Sequence, residues 1–146
     1  MCNNVCNREG YMKKIQLEAK VENLQTVLDL IDDELDNAGC PMKVKMQIDI
    51  AVEELFVNVA NYAYAPGTGE ATLTIDVEPS PGKAVITIKD GGVPFDPTSK
   101  EDPDVTLSAA ERRIGGLGIY MAKKSMDSME YAYKDGCNIV TITKNI

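Results

Sequence analysis

The stretch E-E-L-F-V-N-V-A-N-Y-A-Y, Glu53 to Tyr64, sets two adjacent carboxylates and two amides into a run whose other residues suit a protein core. At about 100° per residue, Ile48, Val52, Leu55 and Val59 cluster around one direction of a helix. Glu54, Asn58 and Asn61 form a second stripe, within about 60° of one another and displaced from the apolar one. Glu53 falls about 140° from Asn58, on the side of Asp49. Helical geometry therefore pairs Glu54 with Asn58 and excludes Glu53. Taken alone, this stripe fits a solvated helix face better than a site, because helices accept asparagine at modest cost.

The pattern extends outward on both sides. The helical period runs from Met42 to Tyr64 and stops at A-P-G-T-G, Ala65 to Gly69. Upstream, Leu24, Val27, Leu28, Ile31 and Leu35 have helical spacing within Glu22–Ala38, and Gly39 suits the position just past the helix end. Before that, M-K-K-I-Q-L-E-A alternates apolar and polar residues from Met12 to Ala19, as a strand does. Downstream, A-T-L-T-I-D-V-E (Ala71–Glu78) and K-A-V-I-T-I-K (Lys83–Lys89) flank the turn formers P-S-P-G and predict an antiparallel hairpin. A glycine turn feeds a helix at Ile119–Ser125. The chain closes with a second hairpin about Asp135-Gly136.

The order β-α-α-β-β-loop-α-β-β predicts an α/β two-layer sandwich. A mixed, mainly antiparallel sheet of about five strands is expected, covered on one face by about three helices. With 146 residues and 44% hydrophobic content, one buried core is accommodated and two domains are not. Residues 12–146 are expected to form that single domain, behind a loose leader at residues 1–11.

Charge and composition exclude several functions. Fifteen basic residues against 23 acidic ones, a net charge of −8, argue against a nucleic-acid backbone or an anionic membrane as direct partner. The absence of histidine removes histidine acid/base catalysis, histidine metal ligands and a phosphorylatable histidine within this sequence. Cys2, Cys6, Cys40 and Cys137 complete no zinc pattern and read as free thiols. With no apolar run long enough to span a bilayer and no signal-peptide core, a soluble, cytoplasmic protein is expected.

Two further segments carry possible chemistry. Asp90-Gly91-Gly92-Val93-Pro94-Phe95-Asp96 follows a strand. Its glycines admit close backbone approach, and Asp90 can accept hydrogen bonds from an amino group. Gly115-Gly116-Leu117-Gly118 opens a helix, whose free amides and positive dipole end suit a phosphate. Each segment alone is an ordinary glycine turn, and neither matches the usual nucleotide fingerprints.

Together and in this order, the three segments resemble the Bergerat-type (GHKL) ATP-binding fold, shared by DNA gyrase, MutL, the large heat-shock chaperone and histidine kinases. Its boxes are E-x-x-x-N on a helix, D-x-G-x-G after a strand, and G-x-G opening a later helix. Here they read Glu54-Leu-Phe-Val-Asn58, Asp90-Gly-Gly92-Val-Pro94 and Gly116-Leu-Gly118. The run I-G-G-L-G-I-Y-M-A-K-K-S-M-D looks like the anti-sigma-factor serine/threonine kinase branch of partner-switching systems, and the likeness covers the chain from Met12 onward. Pro94 replaces the second glycine of the middle box, as is usual in that branch. Tyr62 stands where many members have histidine, and Ile114 where some kinases place an arginine, with Arg112 and Arg113 nearby.

The resemblance implies ATP and Mg²⁺ as cofactors. It implies Asn58 as magnesium ligand, Glu54 as general base towards a serine hydroxyl or water, and Asp90 as acceptor for the adenine amino group. Gly92 would make room for the ring. Gly115, Gly116 and Gly118 would cradle phosphates at the end of a lid formed by Thr98–Ile114, and Asn61 would touch phosphate or serve a structural hydrogen bond. The implied function is an ATP·Mg-dependent regulatory serine/threonine kinase. It would sequester a partner such as a sigma factor and phosphorylate a small antagonist protein, and a homodimer is implied by the dimerisation common in that branch. The alternative is a non-catalytic ATP-binding module that only sequesters its partner.

Overall fold

Alternation along the strands decides which face of the sheet is covered. In the computed structural model, which describes residues 3–7, 12–79, 82–98 and 116–146, β2 (Met12–Glu18) buries Ile15 and Leu17. β3 (Glu70–Pro79) buries Ala71, Leu73, Ile75 and Val77, and β4 (Gly82–Asp90) buries Ala84, Ile86 and Ile88. β6 (Cys137–Asn145) adds Val140 and Ile142 from its place beside β4. The opposite face carries Thr72, Thr74, Thr87, Thr141 and Thr143, which a solvated sheet face accepts.

Two further strands complete the sheet, β1 (Asn3–Asn7) beside β2 and β5 (Ser128–Lys134) beside β6. The order is β1-β2-β3-β4-β6-β5 and every pairing is antiparallel. Among the described residues the sheet has six strands, in keeping with the expected two-layer sandwich of about five, and its pairings are all antiparallel where a mixed, mainly antiparallel sheet is expected. The additional strand lies in the segment expected to be a loose leader. N-N-V-C-N has no alternating apolar set, so its pairing comes from the backbone of β2 rather than from a pattern legible in its side chains.

Helices α1 (Leu24–Asn37), α2 (Met42–Asn58) and α3 (Gly116–Ser125) cover the apolar face. One 3₁₀ turn, Val21–Asn23, leads into α1 where the sequence suggests continuous helix from Glu22. The stripe expected for α1 is the one it buries, with Val27, Ile31 and Leu35 at its centre. Its end is a Schellman motif: Cys40 N–H donates to Leu35 O at 3.0 Å and Gly39 N–H to Asp36 O at 3.0 Å. Gly39 has φ +74°, the left-handed conformation that glycine adopts without strain. Asp135 and Gly136, at φ 53° and 77°, form the tight turn predicted between β5 and β6.

α2 does not continue to Tyr64 as one α-helix. It ends at Asn58, and Val59–Ala63 form a π turn. Such turns occur mostly as single insertions at helix ends or bulges, frequently beside functional sites.

A strained electrostatic contact joins α1 to α2. Asp49 lies within hydrogen-bonding reach of Asp32, and neither carboxylate's buried Oδ1 meets a donor. Burial and the facing Asp32 carboxylate push the Asp49 carboxyl up to about 7, so the folded pair holds a proton that the unfolded chain releases near pH 4. A raised folded-state value means that stability falls as pH climbs from about 4 through about 7. Asp49→Asn should remove that dependence. At pH 8 it should stabilise the fold by on the order of 1 kcal/mol, discounted for solvent screening of a partly exposed group, and raise Tm by about 2–4 °C. At pH 5 the change should be near zero. Thermal melts of both proteins across pH 5–8 check this; parallel curves would contradict the shared proton.

Candidate functional site

The inward row at one end of the sheet changes from apolar to polar. Leu17, Ala71, Asp90 and Asn138 are cross-strand partners in sequence, and the neighbouring row is Ile15, Leu73, Ile88 and Val140. Asp90 and Asn138 are thus core-facing residues at the strand ends, 6% and 3% exposed. Burying them is tolerable only because their polar atoms are paired.

Asn138 is the centre of that pairing. Its Nδ2 donates to Asp90 Oδ1 at 3.0 Å and to Val93 O at 2.9 Å. Its Oδ1 accepts from Phe95 N–H at 3.0 Å and from the Tyr131 hydroxyl at 2.6 Å. Asp90 Oδ1 also accepts from Gly92 N–H at 2.9 Å. The loop after β4 is therefore fastened to β6 by one side chain.

Tyr64 fastens the same loop from the other side. Its hydroxyl donates to Glu70 O at 2.6 Å and accepts from Gly91 N–H at 2.6 Å. Burial raises the phenol above its ordinary value, so it remains a donor. Val93 N–H donates to Ala63 O at 2.9 Å, joining the loop to the π turn. A Cβ on Gly92 would collide with the backbone of Ala63. The room that Gly92 leaves is taken by the end of the helix, where the sequence reading expects a ligand ring.

Between these elements lies a cavity of about 280 Å³. It is near the lower end of the range for small-molecule sites, roughly 300–1,000 Å³. Leu55, Ile88, Ile119 and Val140 give it apolar walls, with Asn58, Asp90 and Asn138 as polar points. Tyr62, Val93 and Phe95, all substantially exposed, also line it. An apolar slot with few polar groups fits a flat heterocycle edged by hydrogen-bonding atoms.

Asn58 is the last residue of α2, and its Nδ2 is buried without a hydrogen-bond partner. Amide ends are told apart by their partners, so a half-turn of this side chain presents Oδ1 at the same position. An unpaired buried amide costs free energy unless a ligand or ion completes it. The arrangement therefore suits an oxygen donor to a hard cation.

Glu54, one turn before Asn58, packs against α3. A Cβ on Gly118 would overlap the Glu54 Oε2, so the glycine admits that carboxylate to the first turn of α3. Gly116 begins the same turn, whose leading amides have no partner within the helix. Glu54, Asn58 and the start of α3 are thus brought together, with Asp90 across the cavity from them. Asn61, in the π turn, is exposed and does not border the cavity; the change of helical period carries it away from Asn58. Gly115, Arg112, Arg113, Ile114 and nearly all of the expected lid lie outside the described residues. Among the described residues no group of three His, Cys, Asp or Glu forms a metal cluster. No helix among them is long and apolar enough to cross a membrane.

Asn138, Tyr64 and Tyr131 are the polar residues that motif reasoning passes over. For Asn138 a signal exists: in N-I-V-T-I-T-K it occupies the inward phase set by Val140 and Ile142. Asn138→Leu should remove the hydrogen bonds to Asp90, Val93 O, Phe95 N–H and Tyr131 together, costing about 2–3 kcal/mol. Denaturant unfolding measures this, and a loss below about 0.5 kcal/mol would remove Asn138 from its place as the fastening residue.

Residues 17–144 match the histidine kinase-like ATPase domain. The serine-protein kinase RsbW of Listeria monocytogenes is 27% identical over 136 residues, covering 90% of this chain and 85% of the relative. The serine/threonine-protein kinase BtrW of Bordetella bronchiseptica is 23% identical over 103 residues, covering 70% of this chain and 72% of the relative. The crystal structure of the SiaB-SiaC complex from Pseudomonas aeruginosa aligns with a TM-score of 0.54 at 14% identity. That alignment covers 100% of this chain and 89% of that one, a likeness of fold.

Proposed function

The chain belongs to the histidine kinase-like ATPase domain family, and from that premise we propose that it is an ATP·Mg-dependent regulatory serine/threonine kinase of partner-switching type. The observation that carries the proposal is the unpaired buried amide of Asn58, one helical turn from Glu54, at the edge of an apolar slot closed by Asp90. Its relatives RsbW and BtrW, named as serine and serine/threonine-protein kinases, support the same reading.

In this reading Asp90 accepts a hydrogen bond from the adenine amino group. Its Oδ1 already serves Gly92 and Asn138, so Oδ2 is the atom that remains. The apolar walls of the slot exclude water from the base. Asn58, with Oδ1 turned into the site, would hold Mg²⁺. Gly116 and Gly118 would leave the first amides of α3 open to phosphate oxygens. ATP·Mg, when bound, would supply the transferable phosphoryl group and the counter-charge for it.

Glu54 Oε2 would accept the proton of an incoming seryl or threonyl hydroxyl, whose oxygen takes the terminal phosphoryl group while ADP is released. With no histidine in the sequence, the Glu54 carboxylate beside α3 is the group this reading assigns to that role. The same fact removes a histidine-to-aspartate relay within this sequence. The substrate would be a small antagonist protein, and the sequestered partner a sigma factor or similar regulator.

A sequestering module that binds nucleotide without transferring phosphate is the reading this must be separated from. Calorimetry should show that Asn58→Ala weakens ATP·Mg binding roughly tenfold or more, about 1.4 kcal/mol. Glu54→Ala should retain binding and lose phosphate transfer to an antagonist encoded beside the gene by about 10²–10⁴-fold. Equal transfer by Glu54→Ala and wild type would eliminate Glu54 as the base. Tight nucleotide binding with neither transfer nor hydrolysis in wild type would establish the sequestering module instead.

A further inference from the structure

α2 is apolar on two opposite sides. Its inner side buries Ile48, Ala51, Val52, Leu55 and Phe56. Its outer side carries Met42, Met46 and Ile50, which are 64%, 55% and 50% exposed. These three recur every four residues and so form one continuous ridge, about 12 Å long at 1.5 Å rise per residue. A helix in the outer layer of a sandwich ordinarily shows water a polar face. None of the three lines the nucleotide cavity, so the ridge belongs to a different surface.

The flank of this ridge has one sign of charge. α1, packed against α2, turns Asp29, Asp33 and Asp36 to solvent, with Asp32 half-buried between the helices. Glu53 extends the acidic rim along α2 and is exposed. Lys45 offsets Asp36, with which its ammonium pairs at 2.9 Å, and Asp29, Asp33 and Glu53 keep the rim acidic. Lys43 is the cation on the opposite flank. A second copy of the chain would bring acid against acid, with a net charge of −8 on each.

We propose that the outer face of α2 docks an amphipathic helix of a protein partner, with apolar side chains along one stripe and Lys or Arg along its rim. A row of side chains four residues apart is the ridge that helix-on-helix packing uses. Methionine is unbranched and adapts its shape to a partner's side chains, so two of three anchors suit an intermolecular contact. The acidic rim supplies attraction and orientation, and the ridge supplies desolvated contact area.

The test uses the full chain and three labelled synthetic 18-residue peptides. One carries a leucine stripe with a lysine rim, one the same stripe with a glutamate rim, and one the first composition in scrambled order. Fluorescence anisotropy should show the lysine-rimmed helix binding at least tenfold more tightly than the other two. Met46→Gln/Ile50→Gln, substitutions at exposed positions, should weaken it at least tenfold while circular dichroism shows an unchanged melt. Asn58→Ala should bind it as wild type does, which separates this surface from the nucleotide reading. Equal binding of the scrambled peptide would reduce the contact to diffuse charge attraction and overturn the proposal. So would equal binding by the double variant. Sedimentation showing a wild-type dimer that the double variant abolishes would assign the face to a second copy instead.

Discussion

The loop after β4 touches the π turn after α2 backbone to backbone, and the cavity exists because of that contact. Only a residue without a side chain fits where Gly92 meets Ala63, and the Val93 N–H to Ala63 O bond at 2.9 Å closes the gap. The contact ties the end of a strand in one layer to the end of a helix in the other. Asp90, two residues before Gly92, and Asn58, five residues before Ala63, both line one slot beside that contact. A longer side chain at position 92 would push the layers apart and separate the groups that define the site.

Polar pairing around this contact is nearly complete, which makes its exception informative. Asn138 uses both ends of its amide on Asp90, Val93, Phe95 and Tyr131. Tyr64 uses its hydroxyl as donor and acceptor together. In a low-dielectric setting such networks hold a loop in one geometry because any broken member leaves a costly unpaired group. Asn58 stands at the edge of this network with a buried, unpaired amide. The surrounding chain had donors and acceptors within the same loop system and satisfied each other first. The proposed ligand role of Asn58 rests on its standing outside that pairing.

Most of the fold was legible because burial has a period. Alternation in Leu73–Ile75–Val77 and Ile86–Ile88 marks the covered face, and the 3.6-residue stripe of α1 marks what covers it. Helical geometry also separates Glu54 from Glu53, and the structure gives the first to α3 and leaves the second exposed. Legibility stops where backbone rather than side chains decides. β1 joins the sheet through main-chain pairing of a segment without an apolar pattern. The π turn at Val59–Ala63 shifts the phase of every later residue, so a wheel drawn at constant pitch puts Asn61 beside Asn58, and the structure does not. The role of Gly92 could not be read either, since a glycine that admits a ligand and one that admits a helix end are the same letter. Asn138 lay within reach, because an amide in an inward strand phase must find partners.

α2 also shows why the polar and apolar demands on one helix need not conflict. Successive residues turn by about 100°, so seventeen of them provide several independent faces. One face fills the core through Ile48, Val52 and Leu55. A second meets α1 through Lys45 and Asp49, where Lys45 pairs with Asp36 and Asp49 faces Asp32. A third brings Glu54 to α3 and leads to Asn58 at the cavity. The fourth is the exposed ridge of Met42, Met46 and Ile50. A rigid helix carrying both the site and an outer ridge transmits displacement along its axis, because packed interiors resist deformation. A body seated on the ridge would rest on the same helix that carries Glu54 and Asn58, outside the cavity.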